Sequence, residues 1–177
     1  WRASGFVLLC ALLAAGCTND MEKVAFFAPK DMPHQQIENG RVIRSTSGSL
    51  QMVMTAPHID VYSSPERKTV CPKGVVLTFY SGKDKPKTLV SANYGISYDD
   101  RNVMELKDSV VIIDFKSGDT SYLSDLTWNG LEHRIFSPHP VRSVNGQRVT
   151  LGDSFESDEN FEQPLIVGQR GTILVEE

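Results

Sequence analysis

From Gly40 onward the apolar residues of this chain recur at every second position, a period that suits β-strands and excludes long amphipathic helices. In "LQMVMTAPHIDVY" (Leu50 to Tyr62), Leu50, Met52, Met54 and Ala56 fall on one face and Gln51 and Thr55 on the other, as in a half-buried strand. Val53 breaks the pattern on the polar side. The stretches "GVVLTFYSG" (Gly74 to Gly82), "SVVIIDFKSG" (Ser109 to Gly118) and "RVTLGDSF" (Arg148 to Phe155) read the same way. They are rich in β-branched and aromatic residues, and most end in a glycine turn signal. No stretch keeps a helical period for long. The body of the protein is expected to be all-β.

The strands repeat. A segment beginning at Ala56 reaches Val75 after nineteen positions, one beginning at Ala92 reaches Val110 after eighteen, and one beginning at Leu123 reaches Val141 after eighteen. After each valine the chain runs apolar and then meets Gly82, Gly118 or Gly146. A degenerate unit of two strands, stacked on its neighbours to bury a shared interior, accounts for this spacing. Three units without Trp-Asp blade signatures are too few for a propeller. A rolled antiparallel sandwich remains, and its terminal strands keep unpaired edges that must be blocked or used.

The first residues are of another kind. "FVLLCALLAAGCTND" (Phe6 to Asp20) has an apolar run of about half the length a membrane-spanning helix needs. Arg2 precedes it and small residues follow, the layout of a secretory signal. Ala14-Ala15-Gly16-Cys17 resembles the lipobox of bacterial lipoproteins, although the usual leucine three places before the cysteine stands one place early, at Leu13. The organisation expected is an incomplete signal peptide over residues 1–16, a lipidated Cys17 and tether over 17–39 with one short ordered piece around Val24 to Phe27, and a single β-domain over 40–177. The alternative is an ordinary signal peptide with a cysteine after its glycine by chance. Either way the mature chain works outside the cytoplasm; with Cys17 acylated it is held to a membrane.

Charge and rare residues exclude several functions. A net charge of −4 and a pI of about 5.6 leave no basic field for nucleic acid. Arg41, Arg44, Lys73, Lys83, Lys85 and Lys87 are scattered or sit in a turn, and read as solvated surface. Of the three cysteines, only Cys71 stays in the folded part, so no disulfide framework forms. It reads as a small strand residue. His34, His58, His133 and His139 lack metal-ligand spacing, and neither metal nor cofactor is indicated. The acidic runs at Asp99-Asp100 and Glu156 to Glu159 lie in polar turns, where paired carboxylates are ordinarily solvated. An enzyme is the weakest reading.

A resemblance narrows the choice. "SGSLQMVMTAPHIDVY", then "PKGVVLTFYSGKDKPKTLVSANYGISYDDRNVMELKDSVVIIDF", "YLSDLTWN" and "IFSPHPVRSVNGQRVTLGDSFESD" follow one another as in the LptC family, related to OstA-like domains. The features that carry it are an aromatic strand followed by a turn and "SANYG", then "MELKDSV", then "LTWN". The likeness covers about Gly48 to Val175. It implies a twisted β-jellyroll, open at both ends, that takes the acyl chains of lipid A, the anchor of lipopolysaccharide, from an inner-membrane ABC transporter. The chains then pass to a periplasmic OstA-like bridge protein, edge to edge, without catalysis or cofactor. Many members hold to the inner membrane by a transmembrane helix; here acylated Cys17 would replace it, placing the chain in the periplasm as an inner-membrane lipoprotein.

Hydrocarbon in water costs about 25 cal/mol per Å², so a carrier needs an apolar shelter. Leu50, Met52, Met54, Val75, Leu77, Phe79, Tyr94, Ile96, Ile112 and Trp128 are the candidates to line one, with methionine adapting to chains of variable shape. The phosphates are expected to stay in water. The same residues could instead pack on each other as a dry core; unfilled interior volume separates the two, because a purely structural core approaches crystal density. The competing function is a structural or ligand-binding β-sandwich lipoprotein of the cell surface. A glycan binder of that class needs exposed aromatic platforms, and Trp128 is the one tryptophan in the folded part.

Overall fold

The computed structural model describes residues 32–81 and 85–174. Cys17 and the segment Val24 to Phe27 lie outside the described residues. The chain forms β1 (Gln35–Thr46), β2 (Ser49–Tyr62), β3 (Lys68–Cys71), β4 (Val75–Ser81), β5 (Lys85–Ala92), β6 (Tyr94–Tyr98) and β7 (Val103–Asp114). It continues with β8 (Thr120–Asn129), β9 (Arg134–Ser137), β10 (Val141–Asn145), β11 (Arg148–Gly152), β12 (Ser154–Asp158), β13 (Leu165–Val167) and β14 (Arg170–Leu174). A single 3₁₀ turn, Asp99–Arg101, is the one helical piece among the described residues. β1 begins at Gln35, so residues 35–39, assigned from the sequence to the tether, are paired along β2.

All fourteen strands belong to one antiparallel sheet, folded into two wings. β1, β2, β7 and β8 are long enough to run through both. In the first wing the order is β1-β2-β4-β5-β7-β8-β10-β11-β14, and in the second it is β1-β2-β3-β6-β7-β8-β9-β12-β13. The register across the first wing aligns Val42, Met54, Leu77, Val90, Ile112, Ser121 and Ser143 as one inward row. The alternation predicts this all-β architecture, and its rolled form is the jellyroll that the resemblance implies. Its terminal strands β1, β13 and β14 each have one strand partner and one open edge among the described residues.

The fold line explains the repeat. Where each strand or strand pair crosses from wing to wing, two inward residues, all buried except the half-buried Ile37, stand three or four positions apart instead of two. The steps of three are Ile37/Gly40, Ala56/Ile59, Ala92/Gly95, Leu123/Leu126 and Gly152/Phe155. The steps of four are Cys71/Val75, Leu106/Val110 and Ser137/Val141. Between them sit residues that bend the backbone: Asn39, Gly74, Asp108 and Ser109 all have positive φ. The segments 56–75, 92–110 and 123–141, the units of the sequence repeat, are therefore successive arcs of the second wing, each leaving and returning at the fold line.

Candidate functional site

The space between the wings is where the candidate lining residues were expected to meet. Met52, Met54, Val75, Leu77, Phe79 and Ile112 are buried there in one core cluster, and Trp128 packs against it partly buried. Leu50 shares their face of β2 but is only half-buried, at the rim. Met52, Met54 and Val75 wall a hollow of about 210 Å³ together with Val42, Thr69, Cys71, Gly95, Ser97, Met104 and Leu106. Leu77, Phe79 and Trp128 surround the centre, where the free space shrinks to about 10 Å³. Ile112 borders a second hollow of about 100 Å³ near β10 and β12. A cleft of about 270 Å³ between Arg44, Met52, Trp128 and Asn160 forms the mouth on one side. The interior is thus packed in the middle and hollow toward both ends.

Of the two candidates on β6, Ile96 is buried and borders the hollow, while Tyr94 is half-buried. Gly95, between them, faces inward: a Cβ there would lie 2.9 Å from Val75 Cγ1 and 3.3 Å from Leu106 Cδ2. The two flanking residues alternate with it along β6, Tyr94 opposite Lys107 and Ile96 between Val70 and Glu105. Ile96, 8 % exposed, stands with Gly95 and Ser97 in the lining of the hollow. The inward turn of Gly95 follows from the three-residue step at Ala92/Gly95, which shifts the parity just before β6.

Several lining residues are absent from the candidates drawn from the sequence. Met104, Leu106, Leu126 and Ile135 follow the same alternation and were available from it. Phe161 was not: it lies in a polar loop, yet it is buried between Phe79 and Phe155. Cys71 faces the hollow, and burial, with the charge of Asp60 behind it, pushes its thiol up to about 11. At neutral pH it is a protonated lining group with little nucleophilic character. Trp128 turns inward against the core while Arg44 lies over its ring, 5.2 Å from the centroid. It offers no open platform for a sugar.

The polar groups of the site are few and placed at its margins. Ser121 and Ser143 share a hydrogen bond of 3.0 Å inside the first wing. On the outside of β1 and β2, His58 lies between Glu38 and Asp60, with Nδ1 2.6 Å and Nε2 3.0 Å from their carboxylates. The bond to Glu38 raises the His58 pKa above its ordinary value, burial opposing it and Asp60 adding to it. Among the described residues no group of His, Cys, Asp or Glu side chains could hold a metal ion. No helix of the described residues is long and apolar enough to cross a membrane.

The comparison with known families agrees with this geometry. A family model described as lipopolysaccharide-assembly, LptC-related, matches residues 7–160. No curated protein matches the chain.

Proposed function

Starting from the chain's membership of the LptC-related family of lipopolysaccharide-assembly proteins, whose members are transport and bridge components of the cell envelope and not enzymes, we propose that the space between the wings shelters lipid A acyl chains in transit. The observation that carries this is the hollow of about 210 Å³ at the β1 end. Protein cores close-pack and leave few voids larger than a water molecule. A space of that size walled by Met52, Met54, Met104 and Leu106 suits hydrocarbon, since apolar cavities stay dry and take apolar guests. Val42, on the same inward row and 46 % exposed, continues the apolar wall to the free edge of β1.

The partners follow from the open edges. β1 at one end and β13 and β14 at the other are positioned to add strands from neighbours, main chain to main chain. In this reading an inner-membrane ABC transporter delivers lipid at one end and an OstA-like bridge protein receives it at the other. Cys17 carries the lipid anchor that holds the domain beside the transporter; the protein is expected to incorporate labelled palmitate and Cys17→Ser to incorporate none, and a wild-type protein without label overturns the anchor.

The decisive experiment is site-specific photo-crosslinking. A photoreactive residue at Met54 or Phe79, both inward, is expected to capture lipopolysaccharide in cells, while Thr55 and Thr78 on the outer face capture little. Capture from Thr55 and Thr78 alone would sink the interior route. Depletion of the protein is expected to remove lipopolysaccharide from the cell surface; unchanged surface lipopolysaccharide overturns the transport reading as a whole.

A further inference from the structure

One buried aromatic belongs to neither wing. Phe161 lies in the loop that joins β12 to β13, within the polar run "SDENFEQP" (Ser157 to Pro164), yet only 4 % of it is exposed. Its ring meets Phe79 of β4 edge-on at 4.9 Å between centroids and tilts against Phe155 of β12 at 6.5 Å. Its backbone has φ +54°, an outlier for a bulky side chain that persists only where the surroundings over-determine it.

The surroundings that hold it come from both wings. Asp158 Oδ1 accepts the backbone N–H groups of Glu162 at 2.6 Å and Gln163 at 3.0 Å. The Phe161 N–H donates to the Asp158 carbonyl at 3.1 Å. From the other wing, Lys87 of β5 donates its Nζ to the Asn160 carbonyl at 3.0 Å and pairs with Glu162. The loop is therefore a strap from β12 across to β5, and the Phe161 ring fills the space beneath it.

That ring divides the interior. On one side lies the closed centre beside Leu77 and Trp128; on the other lies the hollow of about 100 Å³ beside Thr88 and Ser121. Each side holds a buried polar atom with no hydrogen-bond partner, Trp128 Nε1 and Thr88 Oγ1. Thr88 is 1 % exposed, and Ser121 and Ser143, whose residues border the same hollow, bond to each other. Native structures hold few such orphaned groups, and each calls for an explanation.

We infer that Phe161 is a built-in plug occupying the position of a hydrocarbon chain, and that an entering acyl chain displaces the strap and supplies ester, amide or hydroxyl oxygens to Trp128 Nε1 and Thr88 Oγ1. The inference rests on the lipid-transport reading above and adds to it a gate and a chemical preference. An acyl chain bearing hydrogen-bonding oxygen is favoured over a plain alkane. The empty protein keeps a packed, dry centre, and the left-handed strain at Phe161 is released only when the strap opens, which lowers the cost of loading.

The full chain is titrated with purified lipopolysaccharide while amide exchange is followed across residues 159–163. Loading is expected to raise exchange at Glu162 and Gln163. Phe161→Ala, which needs no displacement, is expected to bind about tenfold tighter. Trp128→Phe is expected to lose about fivefold toward lipopolysaccharide and nothing toward dodecane, as removal of one donor predicts. Should Phe161→Ala fold poorly, Asp158→Ala, which removes the acceptor of the Glu162 and Gln163 N–H groups, frees the strap while leaving Phe161 in place, with a gain in the same direction. Binding to wild type and the strap variants with equal affinity, with the loop still protected, overturns the plug and leaves the lipid route standing. Lipopolysaccharide that binds none of the folded proteins overturns both.

Discussion

Gly95 is glycine for want of room. Its inward side is already occupied by Val75 and Leu106, so any added methyl group presses on the opposite wing. Gly95→Val is expected to destabilise the domain by about 1–3 kcal/mol, the usual result of overpacking a filled core. A lower denaturant midpoint with an unchanged slope checks this; an unchanged midpoint would show that the wings can part there without cost. The same residue explains the placement of Tyr94 and Ile96. A glycine carries no hydrophobic signal, so alternation read along "SANYGISY" points to the aromatic and the isoleucine alone; the packing of Gly95 against Val75 sets the glycine inward between a half-buried Tyr94 and a buried Ile96.

Among the elements, the fold line and the edge strand β1 carry the clearest expectations. Asp108 and Ser109 put two successive positive-φ residues into β7, at φ 63° and 59°, opposite a single residue of β8. This bulge turns β7 from one wing into the other. Ser109→Val places a β-branched residue in that conformation and is expected to cost about 1–3 kcal/mol, whereas Ser109→Gly is expected to be at least as stable as wild type. Thermal unfolding of the two variants tests it, and equal stability would mean the bulge conformation is not fixed. Exposed Ile43 and Val42 mark β1 as the open edge, 56 % and 46 % accessible.

β1 is tied to β2 at its start by His58 between Glu38 and Asp60. Because the folded pKa of His58 is raised, the tie is complete below the unfolded value of about 6.5 and fades as pH rises through the folded value. Amide exchange of residues 36–38 is accordingly expected to quicken on going from pH 6 to pH 8 beyond the intrinsic base-catalysed rise, and His58→Gln is expected to abolish that extra step. An extra step that survives in His58→Gln assigns it to another group.

For the molecule as a whole, the question is whether the hollow matters or is a packing remnant. Ser97 of β6 and Thr69 of β3 face it side by side, and both are small. Ser97→Phe would fill the space from within. The variant is expected to unfold as cooperatively as wild type and to lose most lipopolysaccharide binding. Full binding by a folded Ser97→Phe protein would place the lipid elsewhere. The Phe161 strap borders the packed centre and the hollow of about 100 Å³, so plugging the larger hollow and freeing the strap act on different parts of one interior.

Most of the strand framework was legible in the sequence because a period of two is a local property: Met52, Met54, Val75, Leu77, Phe79 and Ile112 declare their face through their neighbours alone. The repeat was legible too, because each crossing of the fold line leaves an apolar pair at a fixed interval. Residue identity also determined the acidic surface and the absence of a cysteine framework. Tertiary structure decided which face a glycine-flanked strand turns inward, how far residues 35–39 join the sheet, and that a phenylalanine from a polar loop fills the centre. Those outcomes depend on contacts between segments far apart in the chain, and short-range periodicity carries no information about which distant surface a side chain will meet.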